Sequence, residues 1–219
     1  MEQTIPKSLS VHRGGGERAS KLQKRRSELV TAATRVIRRE GPAVSMDLMA
    51  AEAGVTKPIL YRHFGDRAGL CAAIAEPVLA ELAEAIEVVI GKEGHPYDVI
   101  HSAIDSFLRF VEEDRNLYKF LTRGEPAEPA GPGPGLAPIE DFEQRIARQT
   151  ASVIDQSLRA IGRDSEAAQA WGYAIVGMVH AAARWWLQNQ SMSRSSISTR
   201  LAELAWWGLS GVGGHTSPG

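Results

Sequence analysis

The side chains best suited to binding chemistry lie together in the segment KPILYRH. If this segment is helical, its polar side presents five residues: Lys57, Pro58, Tyr61, Arg62 and His63. Cations and a phenol donate hydrogen bonds to phosphate oxygens, and a lysine or a guanidinium also fits the acceptors of guanine. A proline ring can pack against a thymine methyl group, and a helix N-terminus favours an anion. These residue types at helical spacing predict a contact with double-stranded DNA.

Two short helices joined by a tight turn must position this segment, and residues 44–70 have that pattern. Ser45 can cap a first helix whose Leu48 and Met49 face inward. Gly54 supplies the left-handed residue that a tight turn requires. The first half of the pattern therefore predicts a short helix followed by a sharp change of direction.

The second helix begins after Thr56, which we expect to cap it. Its Ile59, Leu60 and Phe64 are spaced to pack back onto the first helix. Together the two segments predict a helix-turn-helix. Such pairs also occur in proteins that never touch nucleic acid, so the pattern alone leaves that alternative open.

A longer pattern resembles the signature of the TetR family of transcriptional regulators, A-x-x-A-G-V-[ST]-x-x-x-L-Y-x-H-F-x-[DS]-[KR]-x-x-L. Its positions are occupied here by Ala50, Ala53, Gly54, Val55, Thr56, Leu60, Tyr61, His63, Phe64, Asp66, Arg67 and Leu70. The resemblance begins near Arg25 and says little about the rest of the chain. It implies an all-α protein with an N-terminal three-helix helix-turn-helix DNA-binding domain. A C-terminal helical domain would bind a ligand and dimerise through its last two long helices.

Carried over position by position, the resemblance implies two sets of DNA contacts. The implied phosphate anchors are Thr56, Tyr61, His63 and Arg67. The implied base readers are Lys57, Pro58 and Arg62. Arg25 and Arg26, in the helix before, are expected to hold the neighbouring DNA backbone. Residues 1–20 read as a disordered basic arm that either reaches DNA or stays inert.

Charge is divided unevenly along the chain, although the formal net charge is only -1. Residues 1–70 carry thirteen Lys and Arg against seven Asp and Glu, and the remainder carries twelve against nineteen. A basic module beside an acidic one predicts that phosphate attraction is confined to the N-terminal end.

Several classes of protein are disfavoured by the composition. The single cysteine, Cys71, excludes an intramolecular disulfide and a cysteine-rich zinc site, so we expect helix packing for Cys71, a reducing cytoplasm and no metal. The most apolar run, residues 171–187, is interrupted by His180 and Arg184, and neither a membrane span nor a signal peptide is predicted. No nucleophile, carboxylate pair or cofactor motif stands in a recognisable setting, which predicts neither catalysis nor a cofactor. An enzyme on a helical scaffold and a ligand-independent architectural DNA-binding protein remain the alternatives.

Apolar spacing predicts helices along the whole chain and no strand. Besides the helix-turn-helix pair, helices are expected over residues 21–40, 67–90, 97–113, 117–121, 139–161, 165–190 and 195–209. Pro77 should kink or divide the long fourth helix. Five prolines and four glycines in residues 124–138 predict a mobile loop. The expected domains are an arm at 1–20, a DNA-binding domain at 21–70, a ligand-binding and dimerisation domain at 71–210 and a flexible tail at 211–219.

The last two predicted helices are apolar over wide arcs, which a single chain cannot easily cover. A four-helix bundle of two copies would bury both arcs, whereas the alternative is that they form the core of one chain. The predicted interface residues are Ile175, Val179, Trp186, Leu201, Leu204 and Ala205. A homodimer would place two recognition helices about 34 Å apart, one turn of DNA, on a palindromic operator.

Aromatic residues interleaved with a few polar groups predict a ligand pocket in the second domain. The candidate ligand-binding residues are Phe107, Phe110, Tyr118, Phe142, Trp171, Met178, His180 and Arg184. This mixture suits an amphiphile with an apolar body and one acidic or polar end. The segments VGMVHAAARWWL and LAELAWWGLSG also resemble TetR-type regulators of lipid metabolism that respond to fatty acids or their coenzyme A thioesters. A repressor released from its operator by such a ligand is therefore the expected function.

Overall fold

The computed structural model describes residues 13–122 and 137–212, and all regular secondary structure within these ranges is helical, as predicted. Nine helices follow one another: α1 Arg13–Glu40, α2 Met46–Glu52, α3 Lys57–Phe64, α4 Arg67–Ile90, α5 Pro96–Glu113, α6 Arg115–Thr122, α7 Ala137–Ala160, α8 Ala168–Asn189 and α9 Arg194–Val212. The predicted loop at 124–138 and tail at 211–219 lie mostly outside the described residues, as does the first half of the predicted arm.

Helix α1 is longer than expected, since it begins at Arg13 and not at residue 21. Residues 13–20 are therefore helical, and the prediction of a disordered arm was wrong for them. Starting a helix is unfavourable, but extending an existing helix fixes only one residue for each new hydrogen bond. A polar segment can therefore be helical when an amphipathic helix follows it directly. The helix ends at Gly41, whose φ of +96° suits a residue without a Cβ.

Helices α2 and α3 form the predicted helix-turn-helix. The hydroxyl of Ser45 accepts a hydrogen bond from the Leu48 amide at 3.2 Å, which confirms the predicted cap. Gly54 adopts the expected left-handed conformation with φ of +64°. Met49 is fully buried, but Leu48 is 41% exposed, so the prediction that Leu48 faces inward was wrong.

The second helix of the pair packs largely as expected. Leu60 and Phe64 are buried, whereas Ile59 is half-buried. Thr56 occupies the N-cap position of α3, yet its side chain makes no capping hydrogen bond. Its hydroxyl is therefore not engaged by its own helix.

Three elements of the second domain differ from the sequence prediction. Helix α4 runs unbroken through Pro77, so the proline does not divide it. Helix α7 begins at Ala137 and includes Pro138 in its first turn, where the missing N–H has no helical partner to lose. Residue 138 thus belongs to a helix and not to the predicted loop. Helix α9 continues to Val212, so residues 211 and 212 are helical as well.

The second domain is a helical bundle built around α4, α5, α7, α8 and α9. Helix α7 packs along α8, α5 packs along α9, and α4 lies against both α5 and α7. Cys71 of α4 packs against the shared apolar core, as predicted. None of the described helices combines the length and apolar character of a membrane span.

Polar bonds join the DNA-binding domain to this bundle. The guanidinium of Arg38 in α1 donates to both carboxylate oxygens of Asp114, at 2.9 and 2.6 Å. The Asn116 amide donates to the Arg38 carbonyl at 2.8 Å. Because Asp114 and Asn116 flank the start of α6, these bonds hold the end of α1 on the bundle.

Candidate nucleic-acid interface and ligand cavity

The outer side of α3 carries the residues that the sequence assigned to DNA. Pro58, Tyr61 and Arg62 are exposed, while Lys57 and His63 are half-buried. Leu60 and Phe64, on the opposite side, anchor the helix in the core. The structure therefore brings the five predicted polar positions onto one helix that the protein itself leaves largely uncovered.

Lys57 has a partner within the protein. Its Nζ lies 3.0 Å from Oδ2 of Asp47 in α2, and the hydrogen bond from this carboxylate raises the pKa of Lys57. The Asp47 side chain is 69% exposed, so the pair sits in water and contributes little stability. A DNA phosphate or base acceptor can therefore replace Asp47 at small cost.

Two predicted DNA contacts turn inward. Arg67 donates to the Val44 carbonyl at 2.7 Å, and its guanidinium lies 5.7 Å from the ring centre of Phe120. Arg26 lies over the ring of Phe64, 5.0 Å from its centre. Both cations hold parts of the protein together in this structure, and their assignment as DNA-backbone contacts stays a prediction. Sequence spacing could not reveal this, because a long side chain near a helix end can reach either inward or outward.

Arg25 remains on the surface, where it forms an ion pair with Glu28 at 3.0 Å. The N-terminal extension of α1 adds a further exposed cation, Arg18, from the segment that was predicted to be a disordered arm. Arg18 and Lys21 share a helix side with Arg25, because their spacing of three and four residues matches one helical turn. The extension therefore forms a basic ridge on α1.

The second domain encloses a cavity of about 660 Å³ among α4, α5, α7, α8 and α9. Its walls are mostly apolar, with six side chains that can hydrogen-bond: Lys92, Thr150, Ser157, Trp171, His180 and Trp206. A volume of this size matches the sites that hold small organic molecules. The predicted pocket is thus present, although its lining differs in part from the prediction.

The cavity has an open end and a closed end. The open end, here called the mouth, is lined by exposed residues of the α4–α5 connection and of the end of α7, including Lys92, Gly94 and Ile161. The closed end is lined by buried residues, among them Phe107 and Phe142. A ligand must therefore enter beside Lys92 and extend inward to the aromatic rings.

His180 is the polar group of the closed end. Its Nδ1 lies 2.8 Å from Oε1 of Glu143, and its ring stacks on Phe107 with 4.6 Å between centres. The hydrogen bond with His180 holds the pKa of Glu143 below its ordinary value, and the positive charge of Arg184 acts in the same direction. The pair keeps a buried imidazole oriented at the cavity wall.

Half of the predicted ligand residues line the cavity. Phe107, Phe142, Trp171 and His180 do so, whereas Phe110, Tyr118, Met178 and Arg184 do not. Ile175 and Val179, which were assigned to the dimer interface, line the cavity instead. The aliphatic lining of α4, α5 and α7 was missed because it has the same helical periodicity as any core.

Tyr118 is buried behind the closed end, with 3% of its surface exposed. Its ring meets Phe107 and Phe110 edge-on, and its hydroxyl has no hydrogen-bond partner among the described residues. Burial raises the pKa of Tyr118 to about 12. Tyr118 is therefore part of the wall that supports the cavity and not part of its lining.

The predicted interface residues are mostly internal. Val179, Trp186, Leu201 and Ala205 are buried within one chain, so their assignment to a dimer surface was wrong, and Leu204 alone of the six is exposed, at 61%. Eight exposed positions of α8 instead fall on one helix side: Ala170, Tyr173, Ala174, Gly177, Ala181, Arg184, Trp185 and Gln188. Helix α9 exposes Arg200, Leu204, Trp207 and Gly208. These twelve exposed residues of the last two helices are called the α8–α9 face here.

A helix-turn-helix joined to a helical domain with an internal cavity defines a DNA-binding regulator with a separate sensory domain. Residues 29–74 match the family described as "Bacterial regulatory proteins, tetR family", and residues 81–218 match "Tetracyclin repressor-like, C-terminal domain". The chain belongs to the TetR family of transcriptional regulators.

Individual relatives are similar over nearly the whole chain. An HTH-type transcriptional regulator of Mycobacterium tuberculosis is 29% identical, over 97% of this chain and 89% of its own length. The HTH-type transcriptional activator FasR of Mycolicibacterium smegmatis is 27% identical, over 91% and 90%. The transcriptional regulator FadR of Bacillus subtilis, whose structure contains stearoyl-CoA, superposes with a TM-score of 0.62 at 15% identity, over 82% and 96%. This last likeness concerns the fold.

Proposed function

We propose that this protein is a homodimeric repressor that binds a palindromic operator and leaves it when a long-chain amphiphile, a fatty acid or its coenzyme A thioester, fills the cavity of the second domain. The observation that carries the proposal is this cavity of about 660 Å³, apolar in its walls and open beside Lys92, in the same chain as a helix-turn-helix. An architectural DNA-binding protein has no use for such a cavity. An enzyme would need reactive groups converging on it, whereas the described lining offers one histidine, one lysine and two hydroxyls.

The shape of the cavity supports a chain-like ligand. Each methylene of an apolar chain that is removed from water makes binding more favourable, and the buried apolar walls of the cavity exclude water from the chain. A charged or highly polar head group would remain at the mouth, where Lys92 is exposed to solvent. The Bacillus subtilis FadR, with stearoyl-CoA in its structure, supplies a precedent in the same fold for a ligand of this chemistry.

The α8–α9 face supports the dimer. Tyr173, Trp185 and Trp207 are large apolar side chains that are between 41% and 69% exposed in a single chain. On α8, Tyr173 and Trp185 lie one turn before Gly177 and one turn after Ala181, whose small size allows another helix to approach closely. Large exposed apolar side chains of this kind favour association, and a second copy would cover them with the same helices.

The test is an operator-release assay. Fragments of the gene's own upstream region are screened for binding, and palmitoyl-CoA, palmitate and coenzyme A are then added to the complex. We expect the first two to lower operator affinity and coenzyme A alone to leave it unchanged. An effect of coenzyme A alone, or none from any of the three, would contradict the proposal.

A cavity-filling variant separates ligand response from DNA binding. Ala103 lines the cavity, so Ala103→Trp should fill part of it and abolish release while leaving operator affinity intact. Ala85→Trp, the same change at an exposed position on α4 that does not line the cavity, is the matched control and should respond as the wild type does.

A transcriptional activator is the second candidate, because FasR, 27% identical, carries that name. The same cavity would then alter operator affinity, but occupancy of the operator would raise transcription. A reporter gene behind the operator, measured with and without the protein, distinguishes the two by the sign of the change.

A further inference from the structure

Phe142 separates two cavities. It lines the closed end of the ligand cavity, and it also lines a second cleft of about 310 Å³ on the other side of α7. The side chain is only 5% exposed, so it fills the partition between them. Of the described residues, Phe142 alone lines both spaces.

The second cleft reaches the DNA-binding domain. Its walls are the start of α7, the α4 surface and the side chain of Arg26 from α1. On α4 the wall consists largely of small residues: Gly69, Ala72, Ala73, Ala80 and Ala83. Arg26 in turn lies over Phe64, the last residue of α3. A side chain or ligand that enters this cleft therefore contacts Arg26, which packs against the end of the recognition helix α3.

Two neighbouring rings pack against the Phe142 ring, one stacked and one tilted. Its ring centre is 6.4 Å from that of Phe107 and 6.0 Å from that of His180. A change of side-chain rotamer toward α4 would move the ring from these neighbours into the alanine-lined cleft. The cleft offers space for the ring beside the small residues of α4, and its other walls include the charged residues Glu76, Asp141 and Arg145.

We propose that Phe142 sets the length of ligand to which the regulator responds. A chain that ends before Phe142 fills the cavity alone, whereas a longer chain displaces the ring into the second cleft, against Arg26. This inference rests on the proposed function, since it requires a chain-like ligand in the cavity. It adds the residue that determines specificity for chain length and the route by which a long chain reaches α3.

Affinity along a homologous series measures this directly. Each methylene buried from water contributes about 0.8 kcal/mol, which is about a fourfold gain in affinity. The gain should continue until the chain meets Phe142 and then level off, because a further methylene must displace an aromatic ring. The length at which the rise stops is defined here as the break point.

The experiment uses the full chain and saturated acyl-CoA thioesters from hexanoyl-CoA to stearoyl-CoA, with binding followed by isothermal titration calorimetry. In Phe142→Ala the break point should move to a longer chain, and the affinity of the longest thioesters should rise by at least about fourfold, the gain from one more buried methylene. Phe110→Ala is the matched control, because Phe110 packs on the same core without lining either space. Its break point should stay where the wild type has it.

Phe142→Leu keeps an apolar side chain in the partition and provides the same readout if the alanine variant fails to fold. Its break point should move in the same direction by a smaller amount. An unchanged break point in the Phe142 variants that fold, or an equal shift in Phe110→Ala, would overturn the inference while leaving the proposed function intact. Absence of binding by every thioester would instead remove the proposed function, and this inference with it.

Discussion

Replacing Tyr118 by phenylalanine should stabilise the protein. The Tyr118 hydroxyl is buried and has no hydrogen-bond partner among the described residues, so folding removes it from water without compensation. An unsatisfied buried polar group costs about 1–3 kcal/mol. Tyr118→Phe removes that cost and keeps the ring contacts with Phe107 and Phe110. We expect the free energy of unfolding to rise by about 1 kcal/mol, at the lower end of this range.

Urea unfolding followed by circular dichroism, at fixed protein concentration, measures this change. A rise of about 1 kcal/mol corresponds to an increase of about 2–4 °C in the melting temperature for a chain of this size. Tyr61→Phe serves as the control, because the Tyr61 hydroxyl is on the exposed side of α3 and its loss should change stability by less than about 0.5 kcal/mol. If Tyr118→Phe lowered the free energy of unfolding, the hydroxyl would have a partner and the reasoning would be refuted.

Alkaline pH provides a second readout of the same hydroxyl. The pKa of Tyr118 is raised from 10.0 to about 12 in the folded protein. Folded protein therefore holds the proton more tightly than unfolded protein, and stability is lost as pH rises from 10 toward 12. Tyr118→Phe lacks this loss, so its advantage over the wild type should widen above pH 10. An advantage that stayed constant with pH would contradict the assignment of the raised pKa.

Three other outcomes are expected. Leu204→Glu, which places a charge on the α8–α9 face, should give a monomer in analytical ultracentrifugation, while Val88→Glu, at an equally exposed apolar position on α4, should leave the assembly unchanged. Arg62→Ala should relax base preference in a series of substituted operators, whereas Tyr61→Phe should weaken binding to every sequence alike; two uniform losses would refute the division of roles. Arg145 donates to both carboxylate oxygens of Glu87, at 2.6 and 2.7 Å, and these hydrogen bonds lower the pKa of Glu87 below its ordinary value of 4.5. The ion pair should therefore stabilise the folded protein at neutral pH, and this stability should be lost as the pH falls below 4.5. Acid unfolding of Glu87→Gln should show a smaller loss over the same range, and an identical pH profile would show that the pair is not responsible.

The helix-turn-helix could be predicted closely because its determinants are local. Ser45, Gly54 and the spacing of buried residues each act within a few positions, and the bounds of α4 also follow from local signals. The N-terminal start of α1 could not be predicted in this way. Polar residues such as Arg18 carry no apolar period, and their helix depends on the segment that follows.

The second domain shows where periodicity stops being informative. Helix α8 is apolar around most of its circumference, so spacing identifies its sides but not the neighbour that covers each one. Large residues such as Val179 and Trp186 were assigned to an interface, yet the bundle buries them, and it leaves Gly177 and Ala181 outside. The packing of α7 on α8 decides this, and that packing depends on contacts between residues far apart in sequence.

The orientation of long side chains was similarly beyond sequence reasoning. Arg26 and Arg67 have the charge of phosphate contacts, but the rings of Phe64 and Phe120 draw both guanidinium groups inward. Cation–π contacts of this kind form between side chains that only the folded chain brings together. Lys57 keeps its predicted position, although its partner Asp47 belongs to the other helix of the pair.

The entrance beside Lys92 has a consequence for timing. Helix α4 runs from the end of α3 to this entrance, and its twenty-four residues at about 1.5 Å each span about 36 Å. DNA held by α3 does not reach that far, so a regulator seated on its operator can load its effector without first letting go. Under the proposed function, the delay between a rise in effector concentration and a change in transcription is then set by two steps, effector binding and the rearrangement of the protein. Slow spontaneous dissociation of the protein from DNA does not limit this delay.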